Sequence, residues 1–106
     1  MGLPERLRKL TPAEYLARER AATYRSEYFD GEIFAMAGGS PRHSLIKVNL
    51  TGELRSRLKG SPCTPYDSDL RILVSATGLY TYPDASVICG PLEFEDENRD
   101  TVLNPT

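Results

Sequence analysis

The chain has 106 residues, of which 40% are hydrophobic and 26% charged, with a formal net charge of −2. These values are typical of one small globular domain, and they exclude a basic field over the whole surface that would attract nucleic acid. No apolar run approaches membrane-spanning length, and the N-terminus lacks the apolar core of a signal peptide. A single histidine, His43, excludes a His-rich zinc site. Cys63 and Cys89 lie far apart and outside any metal-ligand spacing, so we expect reduced thiols in a cytosolic protein.

Charge is unevenly distributed along the chain. Residues 42–59 contain five basic side chains and one acidic one, whereas residues 93–100 contain five acidic side chains and one basic one. A basic helix could follow a phosphate backbone, although such charge more often forms a solvated helix face. We expect the acidic run to form a surface loop.

The first element predicted is a short helix that begins after Thr11. Thr11 is placed to cap the helix, Pro12 suits its first position, and Glu14 completes a capping box. Leu10 and Tyr15 can form a hydrophobic staple across this start. The pattern fades near Thr23, and a helix this short must pack on another element to persist.

A β-hairpin is predicted next, because Asp30-Gly31 lies between two strand-like runs. A two-residue loop would pair Phe29 with Glu32. Glu32 then begins the second strand, either as a charge that points to water or as a carboxylate that reaches a metal site.

The main helix is predicted from about Pro41 to Lys59, capped by Ser40 and stopped by Gly60. One stripe at three- and four-residue spacings should face a sheet; it comprises His43, Ile46, Leu50, Leu54 and Leu58. His43 lies in the first turn, where unpaired N–H groups favour anions. It is either a half-buried core histidine or a group that contacts phosphate or orients an attacking water.

The following segment, Cys63 to Tyr66, is predicted as a loop, and residues 67–74 and 79–89 are predicted as an antiparallel pair of strands. Asp84 follows Pro83 in the second of these strands. It is either a turn residue that accepts backbone hydrogen bonds or a ligand for Mg²⁺ or Mn²⁺ in a phosphodiesterase site. Val102 and its neighbours indicate the onset of a further strand.

The order of these elements, with Pro-Asp on a strand, resembles the first half of the restriction-endonuclease-like fold. That fold carries Pro-Asp on one strand and, on the next strand, an Asp or Glu, one residue and a Lys. Five segments resemble the bacterial Uma family, whose members are described as putative restriction endonucleases. They are Leu-Thr-Pro-Ala-Glu-Tyr-Leu at 10–16, Glu-Tyr-Phe-Asp-Gly-Glu-Ile at 27–33, Met-Ala-Gly-Gly-Ser-Pro-Arg-His-Ser at 36–44, Asp-Ser-Asp-Leu-Arg-Ile at 67–72 and Tyr-Thr-Tyr-Pro-Asp-Ala-Ser-Val at 80–87.

The resemblance implies an α+β fold in which an N-terminal helix and hairpin precede a long helix packed on a mixed or antiparallel sheet. It implies one endonuclease-like domain over residues 1–106, incomplete because the second carboxylate and the Lys of the motif are absent. The resemblance also implies that Asp84 and Glu32 are ligands of Mg²⁺ or Mn²⁺ and that His43 lines the site. Asp69 is a weaker fourth candidate. The implied substrate is DNA. Alone, the chain should be inactive or nearly so. We expect a homo-oligomer, such as a dimer, that covers the apolar surface left bare, and no membrane association. The alternative is a non-enzymatic interaction module that uses the 42–59 helix on nucleic acid.

Overall fold

The computed structural model describes residues 9–36 and 39–106. The charged lead-in before Lys9 and the predicted strand break at Gly38 lie outside these ranges. The described residues form two helices and seven strands. In chain order these are α1 (Pro12–Ala21), β1 (Ser26–Phe29), β2 (Glu32–Ala35), α2 (Pro41–Leu58), β3 (Cys63–Tyr66), β4 (Arg71–Val74), β5 (Leu79–Thr81), β6 (Ser86–Cys89) and β7 (Thr101–Val102).

Both helices begin as the sequence predicts, because their starts depend on local hydrogen bonds. The Glu14 amide donates to Thr11 Oγ1 at 3.1 Å, and the Thr11 amide donates to the Glu14 carboxylate at 2.8 Å, which completes the capping box. The His43 amide donates to Ser40 Oγ at 3.1 Å and caps α2 in the same way.

The predicted hairpin is confirmed with its register, since Phe29 pairs with Glu32 across a turn of Asp30 and Gly31. Both turn residues have positive φ, as the tight turn of a two-residue hairpin requires. The hairpin forms one side of a five-stranded sheet of order β2-β1-β5-β4-β7, in which β4 and β7 are parallel and the other pairs antiparallel. The predicted α+β class with a mixed sheet is therefore confirmed.

Two strand predictions are wrong in the same region. Cys63 to Tyr66 was predicted as a loop but forms β3, and residues 79–89 form two strands instead of one. β5 joins the large sheet, whereas β6 pairs with β3 in a separate two-stranded sheet. The physical reason is Pro83, which cannot donate a ladder hydrogen bond and therefore interrupts the run between the two sheets.

The expectation of reduced thiols is also wrong, because Cys63 and Cys89 are direct partners in the β3–β6 register and form a disulfide. The two residues are 26 positions apart in sequence, so only the strand pairing brings them together. The cytosolic location expected from the sequence remains a prediction.

Two hydrophobic clusters hold the elements together. The rings of Tyr15, Tyr28 and Tyr80 pack together where α1 covers the large sheet, with centroids 5.0 to 5.7 Å apart. Leu10 packs against this cluster, in agreement with the predicted staple. The second cluster joins the two sheets, and its buried members are Ile72 of β4, Ile88 of β6 and Val102 of β7.

The apolar stripe of α2 is only partly covered, although it was expected to face a sheet. The helix packs mainly on β3, which reaches its C-terminal half, where Leu54 and Leu58 are half-buried. Ile46 and Leu50, nearer the start, are 58% and 48% exposed. No helix within residues 9–36 and 39–106 has the length and apolar character needed to span a bilayer.

Candidate functional site

An open, polar cavity of about 810 Å³ lies at the start of α2. It forms where the segment before β1, the end of β2, the first two turns of α2, the β3–β4 loop and the β5–β6 connection meet. Its lining side chains are mostly hydroxyls and charged groups; the lining residues are Thr23, Tyr24, Arg25, Met36, Gly39, Ser40, His43, Ser44, Lys47, Ser68 and Asp84.

One face of α2, together with its N-cap, supplies four of these residues. Ser40 and Ser44 are four positions apart, as are His43 and Lys47, and Ser44 and Lys47 are three apart, so these residues lie on the same side of the helix. His43 therefore lies on a polar face in the first half of α2 and does not head a buried apolar stripe. The cavity faces the end of the helix where unpaired backbone N–H groups favour anions.

Asp84 enters the cavity from the connection between β5 and β6. Pro83 ends the ladder pairing of β5, and Tyr82, just before it, anchors the connection in the core at 5% exposure. The Tyr82 hydroxyl donates to Glu19 and accepts from Arg71 Nη1 at 3.1 Å. Burial raises the pKa of Tyr82, as does its hydrogen bond to Glu19, so the phenol stays protonated and keeps this anchor.

His43 and Asp84 form a close polar contact within the cavity. His43 Nε2 lies 2.9 Å from Asp84 Oδ2, and both side chains are about half exposed, at 51% and 52%. A carboxylate at this distance fixes the orientation and tautomer of the imidazole ring. The structure therefore brings together two of the three residues that the sequence proposed for the site.

Two cations complete the opposite wall and converge on one serine. Lys47 Nζ donates to Ser68 Oγ at 2.6 Å, and Arg25 Nη1 donates to the Ser68 carbonyl oxygen. Arg25 also forms an ion pair with Asp69 at 3.0 Å, and its guanidinium lies 5.6 Å from the centroid of the Tyr82 ring. The cavity thus holds one carboxylate, one imidazole, one ammonium and one guanidinium.

Glu32, the third proposed residue, does not line this cavity. The strand register places it opposite Phe29, at the turn end of β2, whereas Met36 beyond the other end of β2 lines the cavity. With about 3.3 Å per residue along a strand, this separation is on the order of 13 Å. Glu32 therefore does not lie beside Asp84, contrary to the prediction from the sequence. Asp69 is exposed and engaged with Arg25 at the cavity edge.

The chain matches one protein family and two curated proteins. Residues 12–106 match the Uma2 family, described as "Putative restriction endonuclease". The chain belongs to this family. It is 47% identical to the uncharacterised Synechocystis protein slr1290 over 83 residues, which are 78% of this chain and 44% of the relative. It is 37% identical to the uncharacterised Synechocystis protein sll1609 over 97 residues, which are 92% of this chain and 55% of the relative.

The fold is also that of a solved relative. A crystal structure of a putative nuclease of DUF820 from Anabaena variabilis superposes with a TM-score of 0.64 at 23% identity, covering 86% of this chain and 49% of that one. This likeness establishes a nuclease-like fold for the Uma2 chain. The chain spans about half the length of the curated relatives it matches.

Restriction-endonuclease-like proteins usually use divalent metals. Mg²⁺ and Mn²⁺ are hard cations that prefer several oxygen ligands, with carboxylates foremost. The cavity offers a single carboxylate, Asp84, which is already in contact with His43. Across the described ranges, no three His, Cys, Asp or Glu side chains lie together in a way that could hold a metal ion. These residues alone do not fit such an ion.

Sequence reasoning missed Arg25 and Lys47 as cavity residues of the Uma2 chain. Lys47 was counted only as one of several charges on a basic helix. Its spacing from Ser40 and His43 was the available signal, because it places all three on one helix face. Arg25 carried no comparable signal, since only the sheet topology brings the start of β1 beside α2.

Proposed function

We propose that this chain supplies one part of a metal-dependent DNA endonuclease site that hydrolyses phosphodiester bonds. The observation that supports this proposal most directly is Asp84, a carboxylate held after Pro83 at the head of α2 and 2.9 Å from His43. Membership of the Uma2 family agrees with it.

In this proposal Asp84 and His43 lie beside the scissile phosphate. His43 is held by Asp84 and presents its ring to the cavity, where it orients a water molecule or contacts a phosphate oxygen. The other oxygen ligands of Mg²⁺ or Mn²⁺, and the lysine of the motif, come from outside these 106 residues. This division agrees with the single carboxylate in the cavity and with the share of its relatives that the chain spans.

Plasmid cleavage in Mg²⁺ or Mn²⁺ tests the proposal in two forms of the protein. The 106-residue chain alone should not cleave, because it lacks the remaining ligands. The same chain fused to the C-terminal part of slr1290 should cleave, and Asp84→Asn in the fusion should abolish cleavage. Glu97→Gln, which removes a carboxylate outside the cavity, is the matched control and should retain it.

Two results would overturn the proposal. One is robust cleavage by the isolated chain that Asp84→Ala removes, because the site would then be complete. The other is a folded fusion whose cleavage does not depend on Asp84. Glu32→Gln belongs in the same series, since loss of cleavage would restore the sequence-based assignment that the strand register does not support.

A second candidate function is a non-enzymatic module that binds nucleic acid through residues 42–59. The observation in its favour is that no residue of α2 is buried and that Arg42, Arg55 and Arg57 are exposed. Metal-independent, salt-sensitive DNA binding that is insensitive to Asp84 and lost with Arg55 or Arg57 would favour this module.

A further inference from the structure

Lys47 is a half-buried cation without a carboxylate partner in the described chain. Its ammonium donates to the neutral Ser68 hydroxyl at 2.6 Å and takes part in no ion pair among residues 9–36 and 39–106. By contrast, Arg57 on the outer part of the same helix is paired with Glu53 at 2.8 Å. An ammonium drawn partly out of water without a counter-charge creates a local preference for an anion.

A second cation faces the same position from another element. Arg25 is held on Ser68 and Asp69, and it is about half exposed, so part of its guanidinium remains open to the cavity. Ser68 lies between the two cations and can donate its hydroxyl proton to an oxygen anion that takes its place as the partner of Lys47. Ser44, one turn before Lys47, adds another hydroxyl to the same wall.

The size and chemistry of this group match a phosphate. A planar guanidinium, an ammonium and a hydroxyl are the groups that bind phosphate oxygens in proteins. A cavity of about 810 Å³ that is open to solvent admits a backbone phosphate together with its sugars. The cavity also contains Asp84, whose negative charge would repel a phosphate unless a cation lies between them.

We propose that Arg25, Lys47 and Ser68 form a subsite for a backbone phosphate of a DNA strand, beside the position where Asp84 and His43 meet the scissile phosphate. This inference rests on the proposed function and specifies how the substrate is held. The subsite positions DNA without a metal ion, so it is a binding property of the 106-residue chain itself.

Binding of a short labelled DNA duplex to the whole chain, measured by fluorescence anisotropy in EDTA over a salt series, tests the subsite. Lys47→Met should weaken binding roughly fivefold and reduce the slope of log K against log salt by about 1, because one phosphate contact is lost. Lys47→Arg should retain most of the affinity. The matched control is Arg57→Met, which removes a charge from the same helix outside the cavity and should change little.

The DNA affinity of Asp84→Asn provides a further test, because it would not change if Lys47 had only a structural role. In EDTA this variant should bind DNA more tightly than the wild type, because a negative charge beside the phosphate is removed while the side-chain shape is kept. Inorganic phosphate at equal ionic strength should compete weakly with the duplex. Strong competition would instead make the subsite one for the free anion and overturn the assignment to DNA.

Three results would overturn the subsite: no DNA binding in EDTA at low salt, equal losses for Lys47→Met and Arg57→Met, or unchanged binding by folded Lys47→Met. Equal losses would place DNA on the outer face of α2, as in the second candidate function. Circular dichroism confirms that each variant is folded. None of these results bears on whether the fusion cleaves plasmid through Asp84, so the subsite and the proposed function can fail separately.

Discussion

Removal of the Cys63–Cys89 disulfide should destabilise the protein by a calculable amount. The bond closes a loop between residues 26 positions apart, and the chain-entropy relation for a loop of that length gives about 3.5 kcal/mol. For a chain of this size this is a large share of the total stability, which is typically 5–15 kcal/mol. With a urea m-value of about 2 kcal/mol/M, the unfolding midpoint should fall by roughly 2 M.

Urea unfolding followed by circular dichroism, with and without a reductant, measures this shift. Thiol titration must show two free thiols in the reduced sample and none in the untreated one. A Cys63→Ser/Cys89→Ser variant is the control, because reductant should leave its midpoint unchanged. Equal midpoints for the fully reduced and untreated wild-type protein would refute the reasoning.

Reduction of the disulfide should open the β3–β6 sheet before the rest of the protein unfolds. The β3–β6 sheet has only two strands, and such a pair is marginal without further support. Amide hydrogen exchange should therefore accelerate first in Ser86–Cys89, while amides of β4 and β5 stay protected. Uniform acceleration across both sheets would contradict this order of opening.

Two further predictions concern stability at low pH and association. Hydrogen bonds from Arg20 lower the pKa of Asp100 to about 2, well below the usual range of a carboxyl group. Because this folded-state pKa is depressed, the stabilisation is present above pH 4 and is lost as pH falls towards 2. Asp100→Asn should cost about 1 kcal/mol at pH 7, after allowance for a side chain that is 36% exposed, and most of that cost should be gone near pH 2 in thermal unfolding. An equal cost at both pH values would contradict the ionic origin. We also expect a dimer formed through the uncovered apolar side chains of α2. Light scattering should therefore give about twice the mass of 11.8 kDa, and Ile46→Glu should restore the monomer. A wild-type monomer at high concentration would rule this dimer out.

The features that the sequence predicted well are those decided by neighbouring residues. The capping box of Thr11 and Glu14, the cap at Ser40 and the register around Asp30-Gly31 each depend on contacts within a few positions. Local hydrogen bonds and positive-φ turns leave clear patterns in a sequence. The order of elements was read from the same local patterns, and the family resemblance added the prediction that Asp84 is a site residue, which stays a prediction.

The features that the sequence missed depend on distant pairing. β3 is a four-residue strand containing Pro65, and only its partner β6 makes it a strand. Its pairing with β6 also creates the disulfide, which no spacing of Cys63 and Cys89 could reveal. One signal was available and was not used: a proline within a strand-like run argues for an interruption, and Pro83 marks the point where the chain changes sheets.

The geometry of the candidate site is governed by the weaker of the two sheets. Asp84 is tied to the large sheet through the buried Tyr82, whereas His43 belongs to α2, which packs mainly on β3. The 2.9 Å contact between them therefore depends on how the β3–β6 pair is held against the large sheet. The cluster around Ile88 holds the pair against the large sheet and involves only a few side chains, whereas the disulfide links β3 to β6 and keeps the pair itself intact. We therefore expect a loss of β3–β6 pairing to move the head of α2 while Tyr82 stays in place, which would separate His43 from Asp84 without unfolding the five-stranded sheet.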